Sequence, residues 1–149
     1  MGFAASHDDL VSVALAHAAA EAEDDIDTVL ATLEDNPVYD LHPLGVAFRG
    51  MDAARRYYEH FFSTFQPSIA DFTLRGQWVN EQGVAQEYTI WTNTGPDGGV
   101  ERHDVFAILT FGTTLLSGER LYSTERLVRL LFGPVVDEAE PIAVGYPPD

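Results

Sequence analysis

The fold is decided by the stretch IADFTLRGQWVNEQGVAQEYTIWTNTGPDGGVERHDVFAILTF, which covers residues 69–111. Apolar and polar side chains alternate along three segments of this stretch, a period of two that is typical of β-strands with one buried face. These segments cover residues 69–79, 84–94 and 100–111. Clusters of turn-forming residues separate them, and a fourth alternating segment follows at residues 115–123. The pattern therefore predicts a meander of long antiparallel strands.

The residues before this stretch have the pattern of helices. Ser6 followed by Asp9 offers a capping box, and Leu10 and Ala14 recur at helical spacing. The acidic run over residues 21–25 is expected to end this first helix. Further helices are expected over residues 26–34, 53–65 and 125–132, with a short strand over residues 38–42.

Helices that precede an antiparallel sheet indicate an α+β fold, in which the helices cover one face of the sheet. Long strands twist and curl, so the curved sheet and the aromatic helix over residues 53–65 are expected to enclose a cavity. We expect one domain over residues 1–133. The remaining residues, 134–149, are rich in proline and are expected to form a C-terminal tail.

The charge of the chain limits its partners. It carries 24 acidic residues against 8 basic ones, all of them arginine, for a formal net charge of -16. Such a surface repels phosphate backbones and anionic lipids, so neither nucleic acid nor a membrane is an expected partner. Cysteine is absent, and neither a signal peptide nor a long apolar run is evident. We therefore expect a cytoplasmic protein.

An ordered set of short segments resembles the nuclear transport factor 2-like superfamily, which includes SnoaL-like polyketide cyclases and ketosteroid isomerases. The segments are VYD (38–40), FRG (48–50), YYEHFF (57–62), HDVF (103–106), ERLY (119–122) and LLFG (130–133). The resemblance implies a cone-shaped, curved antiparallel sheet wrapped around the N-terminal helices, the cystatin-like α+β barrel. It also implies a small lipophilic ligand and a homodimer formed through the outer face of the sheet.

Similarity to the ketosteroid isomerases suggests catalytic roles for three residues. Asp40 takes the place of the proton-shuttling carboxylate, and Asp104 that of the protonated acid of the oxyanion site. His17 stands where that site has a tyrosine. An apolar pocket disfavours ionisation, so a buried Asp stays neutral and donates a hydrogen bond to a developing enolate. The alternative is that Asp40 caps a turn and Asp104 faces solvent.

A fourth candidate, His103, is the neighbour of Asp104 on one strand, so only one of the two can face the cavity. Similarity to the SnoaL-like cyclases favours His103, whereas similarity to the isomerases favours Asp104. Those cyclases carry a catalytic Asp where this chain has Thr124. The pair Arg102 and Asp104 also resembles the motif of limonene epoxide hydrolases, but one strand later in the chain.

The ligand is expected to lie among aromatic rings and a few polar groups, an environment that suits a polycyclic or ketone-bearing molecule. The expected ligand-binding residues are Tyr39, His42, Tyr58, Phe62, Trp78, Trp91, Phe106, Glu119 and Tyr122. His42 and His103 lack a second ligand spaced along the same element, so neither a metal nor a cofactor is expected. The function expected is acid/base proton transfer, an isomerisation or cyclisation of a small carbonyl compound. The alternative is a non-catalytic ligand-binding or dimerisation module.

Overall fold

The computed structural model describes residues 4–142, which form a curved seven-stranded sheet with helices on its concave face. The helices are α1 (His7–Ala22), α2 (Ile26–Ala31), α3 (Met51–His60), α4 (Glu125–Phe132) and α5 (Val135–Glu138). The strands are β1 (Leu33–His42), β2 (Val46–Arg49), β3 (Ile69–Val79), β4 (Gly83–Thr92), β5 (Glu101–Phe111), β6 (Leu116–Tyr122) and β7 (Glu140–Pro141). The sheet is unclosed, with the strand order β3-β4-β5-β6-β1-β2-β7.

The predicted α+β fold and its antiparallel meander are confirmed. Strands β3 to β6 pair antiparallel in chain order. Two features go beyond the prediction. Strand β2 pairs antiparallel with β1, and β1 pairs parallel with β6. The parallel pair is possible because β2, α3 and strands β3 to β5 lie between β1 and β6 in the sequence, which provides the long crossover that parallel strands need.

Helix α1 begins at the predicted capping box. The Ser6 hydroxyl accepts a hydrogen bond from the Asp9 amide at 3.1 Å, and the Asp9 carboxylate accepts one from the Ser6 amide at 3.2 Å. The helix continues to Ala22, so Glu21 is helical and lies one turn after His17. Asp24, with a φ of 57°, then turns the chain towards α2.

Helix α3 carries the expected aromatic face and continues into a single π-helical turn, Phe61–Phe65. Tyr57 and Tyr58 are buried, and the Tyr57 ring lies 4.4 Å from that of Phe132 in α4. A π-helical turn is rare and is often found at functional sites. Here it brings Phe61 and Phe65 to the wall of a cavity.

The first part of the predicted tail packs against the sheet. Val135 and Val136 in α5 are buried, and β7 pairs antiparallel with Val46 and Ala47 of β2. These two valines give an apolar contact that the proline-rich composition conceals. Residues 143–149, the rest of the predicted tail, lie outside the described residues.

The register of the strands decides which side chains meet the helices. Tyr39, Glu119 and Leu109 are paired across β1, β6 and β5, and they share the concave face. Asp40 and Arg120 are the next residues along β1 and β6. Since successive side chains of a strand alternate, these two lie on the opposite, outer face.

Candidate functional site

A cavity of about 450 Å³ lies between α1, the end of α3 and the concave face of the sheet. Its volume is within the range of pockets that hold small organic molecules, roughly 300–1,000 Å³. Most of the wall is apolar, with rings from α3 and its π-helical turn facing aliphatic side chains of β5 and β6. The polar side chains of the wall are those of His17, Glu21, Tyr57, Gln66, Gln86, Tyr88 and Glu119.

The cavity opens beside β3, the edge strand of the sheet. Phe72 and Leu74 line the cavity, yet they are 50% and 47% exposed. An apolar ligand that entered here would cover two large apolar side chains that solvent now contacts. This edge is therefore the mouth of the cavity.

Glu119 of β6 supplies a buried carboxyl group to the cavity wall. Burial and the nearby Glu21 carboxylate raise its pKa to about 8, although His17 partly offsets them. Within residues 4–142, hydrogen bonding makes no contribution that would favour the ionised form. At neutral pH Glu119 is therefore largely a neutral carboxylic acid, with an O–H group available to a ligand.

His17 and Glu21 lie one turn apart on α1 and form a pair, with His17 Nε2 2.8 Å from Glu21 Oε1. Burial alone would lower the pKa of His17. The Glu21 carboxylate and, less strongly, Glu119 oppose this effect, and the net result is a raised pKa. The histidine therefore favours its charged form, which donates a hydrogen bond to Glu21.

The tautomer of His17 follows from its second partner, Thr32. The Thr32 hydroxyl donates its single hydrogen to the Val29 carbonyl oxygen at 2.5 Å. His17 Nδ1 lies 2.7 Å from the same hydroxyl oxygen, which can now only accept. Nδ1 must therefore carry a hydrogen, and Nε2 is the nitrogen that faces Glu21.

Two buried tyrosines extend this network behind the cavity wall. The Tyr58 hydroxyl oxygen lies 3.1 Å from His17 Nε2 and 2.9 Å from the Tyr39 hydroxyl oxygen. Burial raises the pKa of both tyrosines well above the usual value, so both stay neutral. Tyr39 and Tyr58 thus support His17 without lining the cavity themselves. The ring of Phe62, another predicted ligand residue, lies 6.2 Å from that of Tyr58 and is also outside the lining.

The structure brings His17 and Glu119 to the cavity, but it places Asp40 and Asp104 on the outer face. Asp40 Oδ2 lies 4.0 Å from Arg120 Nε. The Asp104 carboxylate accepts hydrogen bonds from Thr89 and Arg102, which lower its pKa. The expected positions of these two aspartates are corrected accordingly: strand alternation sends their side chains away from the helices.

His103 is the member of the His103 and Asp104 pair that faces the concave side. It is buried, and its Nε2 lies 3.0 Å from the Thr92 hydroxyl oxygen. Burial lowers its pKa, although Glu101 opposes that effect. His103 occupies the start of β5, whereas the cavity is lined from Val105 onward. His103 is therefore a buried residue at one end of the sheet, outside the cavity.

The other predicted aromatic residues lie on the outer face. Trp78, Phe106 and Tyr122 are 55%, 37% and 41% exposed. The His42 ring stacks on that of Tyr122 at 4.5 Å, and Trp91 is paired with Arg102 across β4 and β5. Their distance from the cavity has the same cause as that of the two aspartates, the alternation of side chains along each strand.

Several lining residues were not predicted from the sequence: Glu21, Tyr57, Phe61, Gln66, Gln86 and Tyr88. For Glu21 a signal was present, because His17 and Glu21 are spaced by four residues and therefore share one face of a helix. The expectation that residues 21–25 break the helix concealed it. Gln86 and Tyr88 alternate along β4, but the sequence does not show which face of that strand is concave.

Two further properties concern only the part of the chain that the structure describes. Across residues 4–142, His, Asp and Glu side chains form no group of three that could hold a metal ion. None of the helices in that range is both long and apolar enough to cross a membrane.

Solved structures similar to this chain share its fold at low sequence identity. A protein from Silicibacter pomeroyi DSS-3 with a cystatin-like fold is 12% identical, with a TM-score of 0.62 over 85% of this chain and 84% of that chain. A protein from Jannaschia sp. CCS1, provisionally named a SnoaL-like polyketide cyclase, is 13% identical, with a TM-score of 0.64 over 85% and 93%. A protein from Kribbella flavida DSM 17836, provisionally named a ketosteroid isomerase, is 13% identical, with a TM-score of 0.63 over 79% of both chains.

Sequence comparison identifies the family. No curated protein has a significantly similar sequence. The model of the SnoaL-like domain family, however, matches residues 14–114, more than half of the chain, including all of β1 to β5. Together with the fold, this match shows that the chain belongs to the SnoaL-like domain family.

Proposed function

We propose that the cavity binds a small lipophilic carbonyl compound and moves a proton on it. The observation that carries the proposal is a neutral acid, Glu119, in the same apolar cavity as the His17 and Glu21 pair. Acid and base groups whose environments differ in this way are characteristic of proton-transfer sites. The names of two structural neighbours, a polyketide cyclase and a ketosteroid isomerase, agree with this class of chemistry.

Binding would depend on the apolar wall, with Glu119 as the orienting group. An aliphatic or aromatic ring system buries apolar surface against Phe61, Leu121 and their neighbours. The Glu119 O–H group donates a hydrogen bond to the carbonyl oxygen. That bond strengthens as negative charge develops on the oxygen, so it stabilises an enolate more than the ketone.

Glu21 is the group we assign as the base. Its carboxylate removes a proton from the carbon next to the carbonyl, and the C–H electron pair moves through that carbon to the oxygen beside Glu119. His17 holds Glu21 Oε1 through its Nε2–H group. Glu21 then returns the proton to another carbon of the conjugated enolate, which shifts a double bond. Alternatively, the enolate carbon attacks a second carbonyl group of the ligand, whose oxygen takes the proton back from Glu21 as the ring closes. These roles replace those expected for Asp40 and Asp104.

The test is the isomerisation of a β,γ-unsaturated ketone, androst-5-ene-3,17-dione, followed by the ultraviolet absorbance of its conjugated product. Glu21→Gln removes the base and should lower kcat by about 100-fold or more while ligand binding persists. Glu119→Leu should weaken binding as well as turnover. Glu23→Gln is the matched control, because Glu23 is an exposed residue at the end of the same helix. Equal turnover in Glu21→Gln and the parent protein would refute Glu21 as the base.

Binding without turnover is the second candidate function. It is favoured by the mouth beside Phe72 and Leu74, through which water can reach the cavity, since water weakens the electrostatic stabilisation of an enolate. Under this alternative the ketone binds in the parent and in Glu21→Gln with equal affinity, and conjugated product forms in neither.

The outer face supports a further part of the proposal, a homodimer through the sheet. Trp78, Phe106 and Tyr122 expose large apolar surface there, and the rings of Trp78 and Phe106 lie 6.3 Å apart. Pairing two copies would remove this surface from water. Light scattering should give a dimer mass for the parent protein and a monomer mass for Phe106→Asp. A monomeric parent at high concentration would exclude the dimer.

A further inference from the structure

We infer that the cavity selects an elongated ligand with a polar group at each end, one held by Glu119 and the other by Gln86 at the mouth. This inference rests on the proposed function, because it uses Glu119 as the anchor of a carbonyl oxygen. It adds the shape of the substrate class and a residue that determines specificity.

Gln86 of β4 lies on the concave face, since its register partner Ala107 and the next partner Leu121 both line the cavity. Gln86 Nε2 donates a hydrogen bond to Gln77 Oε1 of β3 at 2.8 Å. This bond orients the Gln86 amide. Its carbonyl oxygen and second N–H hydrogen make no side-chain hydrogen bond to residues 4–142, so both remain available to a ligand.

The strand register sets the separation of the two anchors. Glu119 pairs with Leu109, which pairs with Val84, and Gln86 lies two residues beyond Val84 on β4. Two spacings between neighbouring strands and an offset of two residues along the strand place the backbone positions of Glu119 and Gln86 about 12 Å apart on a flat sheet. The curvature of the sheet shortens the direct path between them to roughly 10 Å. This distance matches the length of a molecule of two or three rings.

The surface between the anchors is apolar. Ala107, Leu109 and Leu121 form its floor, and Tyr57 and Phe61 face them from α3 and its π-helical turn. The middle of the ligand must therefore be apolar, because a polar group there would lose hydrogen bonds to water without replacement.

The chemistry of Gln86 defines the second polar group. A primary amide both donates and accepts hydrogen bonds, so it suits a hydroxyl or a second carbonyl group. A carboxylate at that end is disfavoured by the net charge of -16 on the chain. The inferred substrate class is a neutral, rigid hydroxyketone or diketone.

Two probes test this inference. 4-(4-Hydroxycyclohexyl)cyclohexanone carries oxygens at both ends of a two-ring skeleton, and 4-cyclohexylcyclohexanone lacks the hydroxyl group. The affinity of each is measured by NMR titration of the full chain. The parent protein should bind the hydroxyketone about tenfold more tightly, the value of one net hydrogen bond. Gln86→Leu should abolish this preference and keep the affinity for the simple ketone.

The controls separate this inference from the proposed function. Glu87→Gln changes the neighbouring residue on the outer face and should retain the tenfold preference. Glu119→Leu should weaken both probes equally. Equal affinities in the parent, or a preference that survives Gln86→Leu, overturn the inference alone. Unchanged affinities in Glu119→Leu, or no binding of either probe by the parent, overturn the proposed ligand class and the inference with it.

Discussion

The two faces of the sheet shift the pKa of a carboxyl group in opposite directions. On the concave face Glu119 is buried next to Glu21, and its pKa rises to about 8. On the outer face the Asp104 side chain is 66% exposed, and hydrogen bonds from Thr89 and Arg102 lower its pKa. The two carboxyl groups lie on neighbouring strands, Asp104 on β5 and Glu119 on β6.

This contrast shows that the facing direction of a carboxyl group, more than its presence in a motif, decides what chemistry it can perform. A neutral acid in an apolar cavity can donate a proton or a hydrogen bond at neutral pH. An ionised carboxylate among cationic side chains on the surface contributes to solubility and local structure.

The buried carboxyl group of Glu119 on the concave face should make the protein less stable as pH rises. In the unfolded chain Glu119 ionises near its ordinary value of 4.5, whereas in the folded chain it ionises near 8. The folded state therefore binds more protons between these values, and the free energy of unfolding falls as pH increases. Glu119→Gln removes this loss and should be more stable than the parent by a few kcal/mol at about pH 9, and nearly equal to it at about pH 4. Urea denaturation at both pH values provides the measurement.

Asp104→Asn is the control for that experiment. Asp104 has a lowered pKa, so above about pH 6 it is ionised in both the folded and the unfolded chain. Between about pH 6 and pH 9, in the same urea denaturation, the variant should therefore lose stability as steeply as the parent does. If Glu119→Gln shows the same slope as the parent, Glu119 is ionised in the cavity and the contrast between the faces fails.

A smaller effect is expected from the hydrogen bond between His17 Nδ1 and the Thr32 hydroxyl oxygen, behind the cavity wall. Thr32→Val replaces the hydroxyl that accepts from His17 Nδ1 with a methyl group. A buried donor loses its partner, which should cost about 1–3 kcal/mol of stability. Thr32→Ser keeps the hydroxyl and should recover most of that loss. Chemical denaturation of the three proteins measures the difference.

Nitrogen NMR of the His17 ring separates the tautomer effect from a packing effect. The parent and Thr32→Ser should show a protonated Nδ1 at every pH, with Nε2 as the site that titrates. In Thr32→Val the neutral ring should populate both tautomers. A neutral ring with hydrogen only on Nε2 in the parent protein would contradict the assignment of the hydrogen bonds.

The sequence was sufficient for the fold because the signals are local and repeated. Alternation along four long segments predicts the meander, and Ser6 with Asp9 marks the start of α1. Strand β2 was missed because four residues are too few to show a period. The parallel pairing of β1 with β6 joins residues far apart in the sequence, and no local pattern specifies it.

The site was predicted only in part, for a related reason. The sequence indicates His17 and Glu119, but the resemblance to the ketosteroid isomerases gives the role of base to Asp40 and an acid role to Asp104. Alternation shows that adjacent residues of a strand face opposite sides, but not which side is concave. A one-residue difference in alignment therefore exchanges the cavity for the surface. Glu21 could have been found from its helical spacing to His17.

The smallest predicted effect lies at acid pH, on the outer face. Because the pKa of Asp104 is lowered in the folded state, the group stabilises the protein above its unfolded value of 3.8, and the contribution is lost as pH falls through the lower folded value. Asp104→Asn lacks this contribution at every pH. The difference in melting temperature between the parent and the variant should therefore shrink on acidification from about pH 5 to about pH 3. High salt should reduce the difference at pH 5, because Arg102 is exposed and its attraction is screened. A difference that stays constant with pH would mean that Arg102 and Thr89 do not favour the ionised form of Asp104.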